Sequence, residues 1–129
     1  MNPLQRISTP TAAPAGGHYS QGVVHGGVLY VSGQLPTLPD GTRCGHLPFD
    51  EQAALALENV LAIVAAAGGG PETVLKVTVY VVGAEHWPTF NAVYAARMGE
   101  ARPARAVIPV PTLNHGALVE IDAIAAVPH

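Results

Sequence analysis

Apolar residues recur along this chain at two periods, and the change from one to the other marks out its elements. From about Asp50 to Ala67, Ala53, Leu57, Val60, Leu61 and Val64 return at three- and four-residue steps, which predicts a helix with one apolar stripe. Gly68-Gly69-Gly70-Pro71 ends it, with glycine for a left-handed cap and proline to block continuation. The period then falls to two. Thr73 to Val82 sets Val77, Val79 and Val81 on one face and Lys76, Thr78 and Tyr80 on the other, so it reads as a strand. A second helix is predicted from about Glu85 to Met98, with Pro88 tolerated in its first turn. Two closing strands follow near Arg105–Val110 and Leu118–Val127. Pro109 and Pro111 trim the first and argue for a sheet edge or an early end.

Upstream, residues 9–17 form an irregular lead-in with two prolines and a glycine pair. Ser20–Val24 and Val28–Ser32 are short strand-like runs separated by His25-Gly26-Gly27, a hairpin signal. In the second run Leu29 and Val31 share one face, and Val28, Tyr30 and Ser32 the other. Pro36 to Pro48 is a loop. The order is hairpin, helix, strand, helix, strand, strand. Two amphipathic helices can then cover one face of a mixed sheet, giving a single α+β domain of two layers. The other face carries Tyr30, Thr78 and similar residues and is too apolar to leave bare, so subunit association over it is expected.

Composition narrows the function classes. Hydrophobic residues make up 49% of the 129 and aromatics only 5%, so the core is built from Val, Ala, Leu and Ile. The net charge is −3 and the six Lys and Arg are scattered singly, which argues against nucleic-acid binding. One cysteine, Cys44, permits no intrachain disulfide and fits a reducing compartment. Met1 to Gly17 lacks the apolar core of a signal peptide, and the longest helical apolar stretch is broken by Glu58 and Asn59; a cytoplasmic protein without membrane contact is expected. The histidines at 18, 25, 46, 86, 115 and 129 form no His-x-x-x-His or His-x-His pair, so no metal site is expected. Cys44, in a Gly- and Pro-rich loop, reads as a plain surface thiol, and Trp87 and Tyr94 as core contacts.

Against so few charges, two stand out. Arg105 lies within Ala104-Arg105-Ala106-Val107-Ile108-Pro109-Val110, and Glu120 within Leu118-Val119-Glu120-Ile121-Asp122-Ala123-Ile124. Such company suggests partial burial, and a buried charge needs a partner or a ligand. A guanidinium presents a planar donor fork that suits a carboxylate, and a carboxylate beside a water can act as acid or base. From the residues alone two readings stay open: a small-molecule site, or a structural Arg105–Glu120 ion pair across adjacent strands. Asp122 reads as an exposed or subunit-facing charge.

Several motifs, in order, resemble the RidA family, also called YjgF/YER057c. They are Tyr19-Ser20-Gln21-Gly22, Tyr30-Val31-Ser32-Gly33-Gln34-Leu35-Pro36, Glu58-Asn59-Val60 within Ala53 to Gly68, Val74 to Val82, Phe90-Asn91-Ala92-Val93-Tyr94, Pro103-Ala104-Arg105 and Val119-Glu120-Ile121-Asp122-Ala123-Ile124-Ala125. The resemblance covers nearly the whole chain. It implies a chorismate-mutase-like α+β fold assembled as a homotrimer, with ligand sites between subunits. It implies hydrolysis of reactive enamines and imines such as 2-aminoacrylate to 2-keto acids and ammonia, with no cofactor. Carried over, Arg105 would clamp the substrate carboxylate and Glu120 would hold or activate the attacking water. Tyr19 would wall the pocket, Ser32 and Gly33 would supply a hydroxyl and a close backbone, and Asn91 would come from the second helix.

Two departures from the family pattern bear on substrate choice. Val107 stands where many members carry cysteine, and Gly17-His18 precedes the tyrosine in place of Gly-Pro. They leave room for a larger enamine, such as an aminomuconate-like intermediate. A non-catalytic trimer that binds a keto acid and signals occupancy is the reading from a different class. The ribonuclease activity sometimes assigned to the family sits badly with the charge balance.

Overall fold

The computed structural model describes residues 3–129. Strand β1 is Gln5–Ile7, β2 Gly22–His25, β3 Val28–Gln34, β4 Val74–Val81, β5 Ala104–Pro109 and β6 Val119–Ala126; helix α1 is Phe49–Ala66 and α2 Trp87–Met98. One six-stranded sheet runs in the order β1-β2-β3-β6-β4-β5. All neighbours are antiparallel except β4 and β5, which pair in parallel and are joined by α2. Both helices pack on one face, as the two-layer α+β expectation required.

Local chemistry explains most boundaries. Gly26 and Gly27, at φ 59° and 79°, close the β2–β3 hairpin in two residues, a left-handed pair that glycine takes without steric cost. Helix α1 starts after Pro48 with Asp50 and Glu51 in its first turn, where the helix dipole favours acids. It ends where Gly68 and Gly69 donate back to Ala65 and Val64. Strand β5 is an edge strand ending at Pro109, as its prolines foretold. Each helix and interior strand lies within about two residues of its expected span. The short β1 carries no strand signal in its residues.

The core fills the space between helices and sheet. Leu29 and Val31 of β3, Val77, Val79 and Val81 of β4, and Val119, Ile121, Ala123 and Ala125 of β6 face Ala53, Leu57, Val60, Ile63, Val64 and Phe90 of the helices, all buried. Tyr94 belongs to this core, but Trp87 does not. It begins α2 and points outward, 39% exposed. Cys44 likewise departs from expectation: it is buried, with its thiol directed 3.7 Å from the Thr42 carbonyl, because the loop folds onto α1 rather than lying in solvent.

Two buried amides on α1 hold the irregular segments in place. Asn59 donates to the Leu35 carbonyl at 3.3 Å and the Thr37 carbonyl at 2.7 Å, and accepts from the Ala13 N–H at 3.2 Å. Gln52 donates to the Gly45 and Leu47 carbonyls and accepts from the Leu118 N–H. Asn59→Leu removes all three Asn59 bonds and leaves backbone groups unmatched. At about 1–3 kcal/mol for each buried unmatched group, we expect a loss near 3 kcal/mol or more in urea denaturation. A loss below about 1 kcal/mol would mean that the lead-in and the loop are not held by this residue.

Candidate active site

Sheet register decides where the two candidate charges point. Arg105 lies opposite Val77 of β4, a core residue, so it projects toward the helices. Glu120 lies opposite Tyr80 of β4, on the uncovered face. Strand β4 runs between β5 and β6. Arg105 and Glu120 are thus separated by a strand and by the sheet itself, which rules out the adjacent-strand ion pair within one chain.

Arg105 is exposed, against the expectation of partial burial, because β5 is the sheet edge and α2 flanks only one side of it. Its Nη2 donates to Asn91 Oδ1 at 2.9 Å. Its guanidinium carbon stands 5.0 Å from the Tyr94 ring centroid and 5.8 Å from that of Phe90, within cation–π range. No carboxylate pairs with it among the described residues. Asn91, Tyr94, Met98, Arg102 and Arg105 line a cleft of about 430 Å³ at this edge. The Tyr94 hydroxyl there has no hydrogen-bond partner among the described residues, and burial raises its pKa above the usual value while Arg105 opposes the shift. Val107, two residues along β5, turns to the same face and packs half-buried against the core.

On the uncovered face the β3–β6 ladder slips between Val31 and Gln34, so Ser32 and Gly33 form a bulge. A Cβ built on Gly33 would stand 2.4 Å from Glu120 Oε2, so only glycine admits the carboxylate at this distance. The Ser32 hydroxyl donates to the Ser20 carbonyl at 2.6 Å, leaving its oxygen to accept. Tyr19 is exposed; its hydroxyl accepts from the Gly16 N–H, and with Gly33 it lines a second cleft, of about 350 Å³. Asp122, read from sequence as an exposed or subunit-facing charge, is half-buried and accepts from the Tyr80 hydroxyl at 3.3 Å.

The sequence-derived residues therefore divide into two groups. Arg105, Asn91 and Val107 gather on the helix side of the edge; Tyr19, Ser32, Gly33 and Glu120 gather around the bulge. Sequence reasoning missed Arg102, Tyr94 as a lining group, and Arg43, which shares the cleft of Tyr19 and Gly33. Tyr94 stands within the Asn-Ala-Val-Tyr motif, and Arg102 directly precedes Pro-Ala-Arg. No sequence signal marked Arg43, since only the folded loop brings it there. Among the described residues no three His, Cys, Asp or Glu side chains cluster as a metal site would require, and no helix is long and apolar enough to cross a membrane.

Glu120 has a testable signature. Burial first, and the Asp122 charge second, raise its carboxyl above the ordinary 4.5. The folded chain then keeps a proton that the unfolded chain has lost. The stabilising contribution of that proton is full below 4.5 and disappears as pH rises through the raised folded value. Glu120→Gln removes the titration. Its stability relative to wild type should climb as pH rises from about 4 to 7, followed by thermal melts. A difference that stays flat over that range would refute the shift.

Comparison with known proteins agrees with this fold. A family model described as endoribonuclease L-PSP matches residues 9–127. The 2-iminobutanoate/2-iminopropanoate deaminase of Escherichia coli is 40% identical over 124 residues, which cover 92% of this chain and 94% of that protein. A RutC family protein of Pyrococcus horikoshii is 38% identical over 119 residues, with the same coverage. Among solved structures, Escherichia coli TdcF with bound serine superposes with a TM-score of 0.89 at 36% identity, over 95% of this chain and 98% of that one. RidA of an Antarctic Psychrobacter does so with a TM-score of 0.90 at 38% identity, with the same coverage. On its motifs, its family match and its fold, the chain belongs to the endoribonuclease L-PSP family, the RidA family of the sequence resemblance.

Proposed function

We propose that this protein is an enamine/imine deaminase that hydrolyses small 2-aminoacrylate-type acids to 2-keto acids and ammonia. The observation that carries this reading is the state of Arg105. Asn91 and two aromatic faces hold the guanidinium in one orientation, none of them neutralises it, and donors remain for a carboxylate fork. The deaminase name of the Escherichia coli relative, and the serine held by the TdcF structure, support a small amino-acid-derived ligand.

The two residue groups call for two chains. A single site that uses both Arg105 and Glu120 needs Arg105 of one subunit and Glu120 of another, since one chain projects them from opposite faces. The uncovered face supports association, with Tyr30 at 50% and Ile108 at 41% exposure. We infer a homotrimer of the chorismate-mutase-like kind, with sites between subunits. In this arrangement Arg105, oriented by Asn91, clamps the substrate carboxylate. Glu120, raised by burial, takes a proton from water as the oxygen adds to the imine carbon. It gives that proton to the nitrogen to form a carbinolamine, then moves the hydroxyl proton to the amino group, so that ammonia leaves as the carbonyl forms. Tyr19 walls the pocket, Ser32 offers an acceptor oxygen, Gly33 gives the carboxylate room, and Val107 fills the space beside Arg105. The family's ribonuclease description finds no support in a net charge of −3.

A mixing experiment tests chemistry and assembly together. Imine is released by a serine or threonine dehydratase, and its decay is followed above the uncatalysed rate. Arg105→Ala and Glu120→Gln are each expected to lose at least 10²-fold in turnover, the scale of an acid–base contribution. Co-refolding the two in equal amounts should restore about a quarter of wild-type sites, because a randomly paired site draws an intact residue from each contributor that often. Light scattering should give three chains per particle. Wild type that leaves the decay of both serine- and threonine-derived imines at background would end the small-substrate assignment and turn attention to larger enamines or a binding role. Intact wild-type activity with no recovery on mixing would place each site within one chain.

A further inference from the structure

We propose that Arg43 is a specificity residue that binds a second anionic group, so that the preferred substrates of this protein are imines of dicarboxylic amino acids. This rests on the deaminase reading above and extends its substrates beyond the small monocarboxylic acids named there. Arg43 lines the 350 Å³ cleft shared by Tyr19 and Gly33, on whose backbone the Glu120 carboxylate lies. Among the described residues its side chain takes part in no ion pair or hydrogen bond. The loop has one acid, Asp40, whose carboxylate accepts the Thr42 N–H at 2.8 Å. Among the described residues no acidic side chain lines the cleft; Asn114 and His115 line it together with Arg43 and carry further hydrogen-bonding groups. An unneutralised guanidinium beside donor-bearing neighbours is a receptor for a carboxylate.

The Arg43 side chain is exposed, but its backbone is held in place. Arg43 is paired with Thr37 in a β-bridge, and the Cys44 N–H donates to the Pro36 carbonyl at 2.9 Å. Gly45 packs so closely on the 114–117 turn that an added Cβ would stand 2.9 Å from the His115 carbonyl oxygen. Gln52, buried on α1, bonds the Gly45 carbonyl on one side and the Leu118 N–H on the other, joining loop and turn. His115 itself sits at φ 60°, the one non-glycine residue in the left-handed region among those described. Such strained residues persist where the surroundings over-determine them, and they concentrate at ligand sites. In the site proposed above, a substrate with its α-carboxylate on Arg105 of the neighbouring subunit and its imine carbon beside Glu120 extends its far end into this cleft.

The test compares two imines of equal length that differ only at the far end. Amino-acid oxidases generate them in situ from glutamate, with a terminal carboxylate, and from norvaline, with a terminal methyl. Wild type is expected to hydrolyse the glutamate-derived imine with at least tenfold higher kcat/KM. Arg43→Ala should abolish that preference by raising KM for the dicarboxylic imine tenfold or more. It should leave the norvaline-derived imine within about twofold. Arg43→Glu should reverse the preference. Calorimetric titration with 2-oxoglutarate and 2-oxopentanoate gives a readout independent of turnover, and wild type but not Arg43→Ala should bind the first more tightly. Activity on the norvaline-derived imine without preference for the dicarboxylic one overturns this inference and leaves the deaminase reading standing. Equal losses on both imines in Arg43→Ala overturn it too, by making Arg43 a structural residue. Inactivity on both ends the deaminase reading, and equal binding of the two keto acids then ends the Arg43 assignment as well.

Discussion

Strand β6 occupies the middle of the sheet, hydrogen-bonded to β3 on one side and β4 on the other, and its side chains must alternate between two unlike environments. Val119, Ile121, Ala123 and Ala125 enter the core under the helices; Glu120, Asp122 and Ile124 cannot, and stand on the uncovered face. A slip of one residue would drive two carboxylates into the core. That constraint fixes the register of the whole sheet. It also sets the site: Glu120 is aimed by the same alternation that buries its neighbours, and the Ser32–Gly33 bulge clears the space it needs.

The electrostatics follow from scarcity. Nine Asp and Glu among 129 residues include two that stand two positions apart on this strand. The Asp122 charge raises the cost of ionising Glu120, and the Tyr80 hydroxyl donates to Asp122 rather than to Glu120. The polar set is therefore asymmetric. Asp122 is engaged in the sheet, while Glu120 retains a proton affinity above that of an ordinary carboxylate. A group of this kind exchanges protons at less acidic pH, which suits an acid–base role. Arg105 reaches a comparable availability differently, through neutral neighbours that orient it and leave its charge uncompensated.

Periodicity made most of the architecture legible. The stripe of Ala53, Leu57, Val60 and Val64 and the alternation of Val77, Val79 and Val81 each carry one environment per face, so sequence and fold agree there. Legibility failed where position depends on contacts distant in sequence. Strand β1 has three residues and no alternation to read. Cys44 looks like a loop thiol until the loop is drawn onto α1 by Asn59 and Gln52. The two candidate charges were recognisable by type and company. Their opposite faces depend on β4 lying between β5 and β6, a strand order that the sequence does not spell out. Arg43 was illegible for a similar reason: the turn that frames its cleft lies some 70 residues further along the chain.

A sheet with free edges invites further strands, and the unpaired backbone groups of an edge are where cross-chain ladders and fibrous growth begin. Here the outer boundary of β5 is bracketed by Pro103, Pro109 and Pro111, which have no N–H to offer, so an incoming strand would find only Ala104 to Ile108 able to pair in full. The opposite boundary, β1, is three residues long. Both margins are thus too short to template a stack, which keeps a chain that is 49% hydrophobic from lengthening sideways into aggregates.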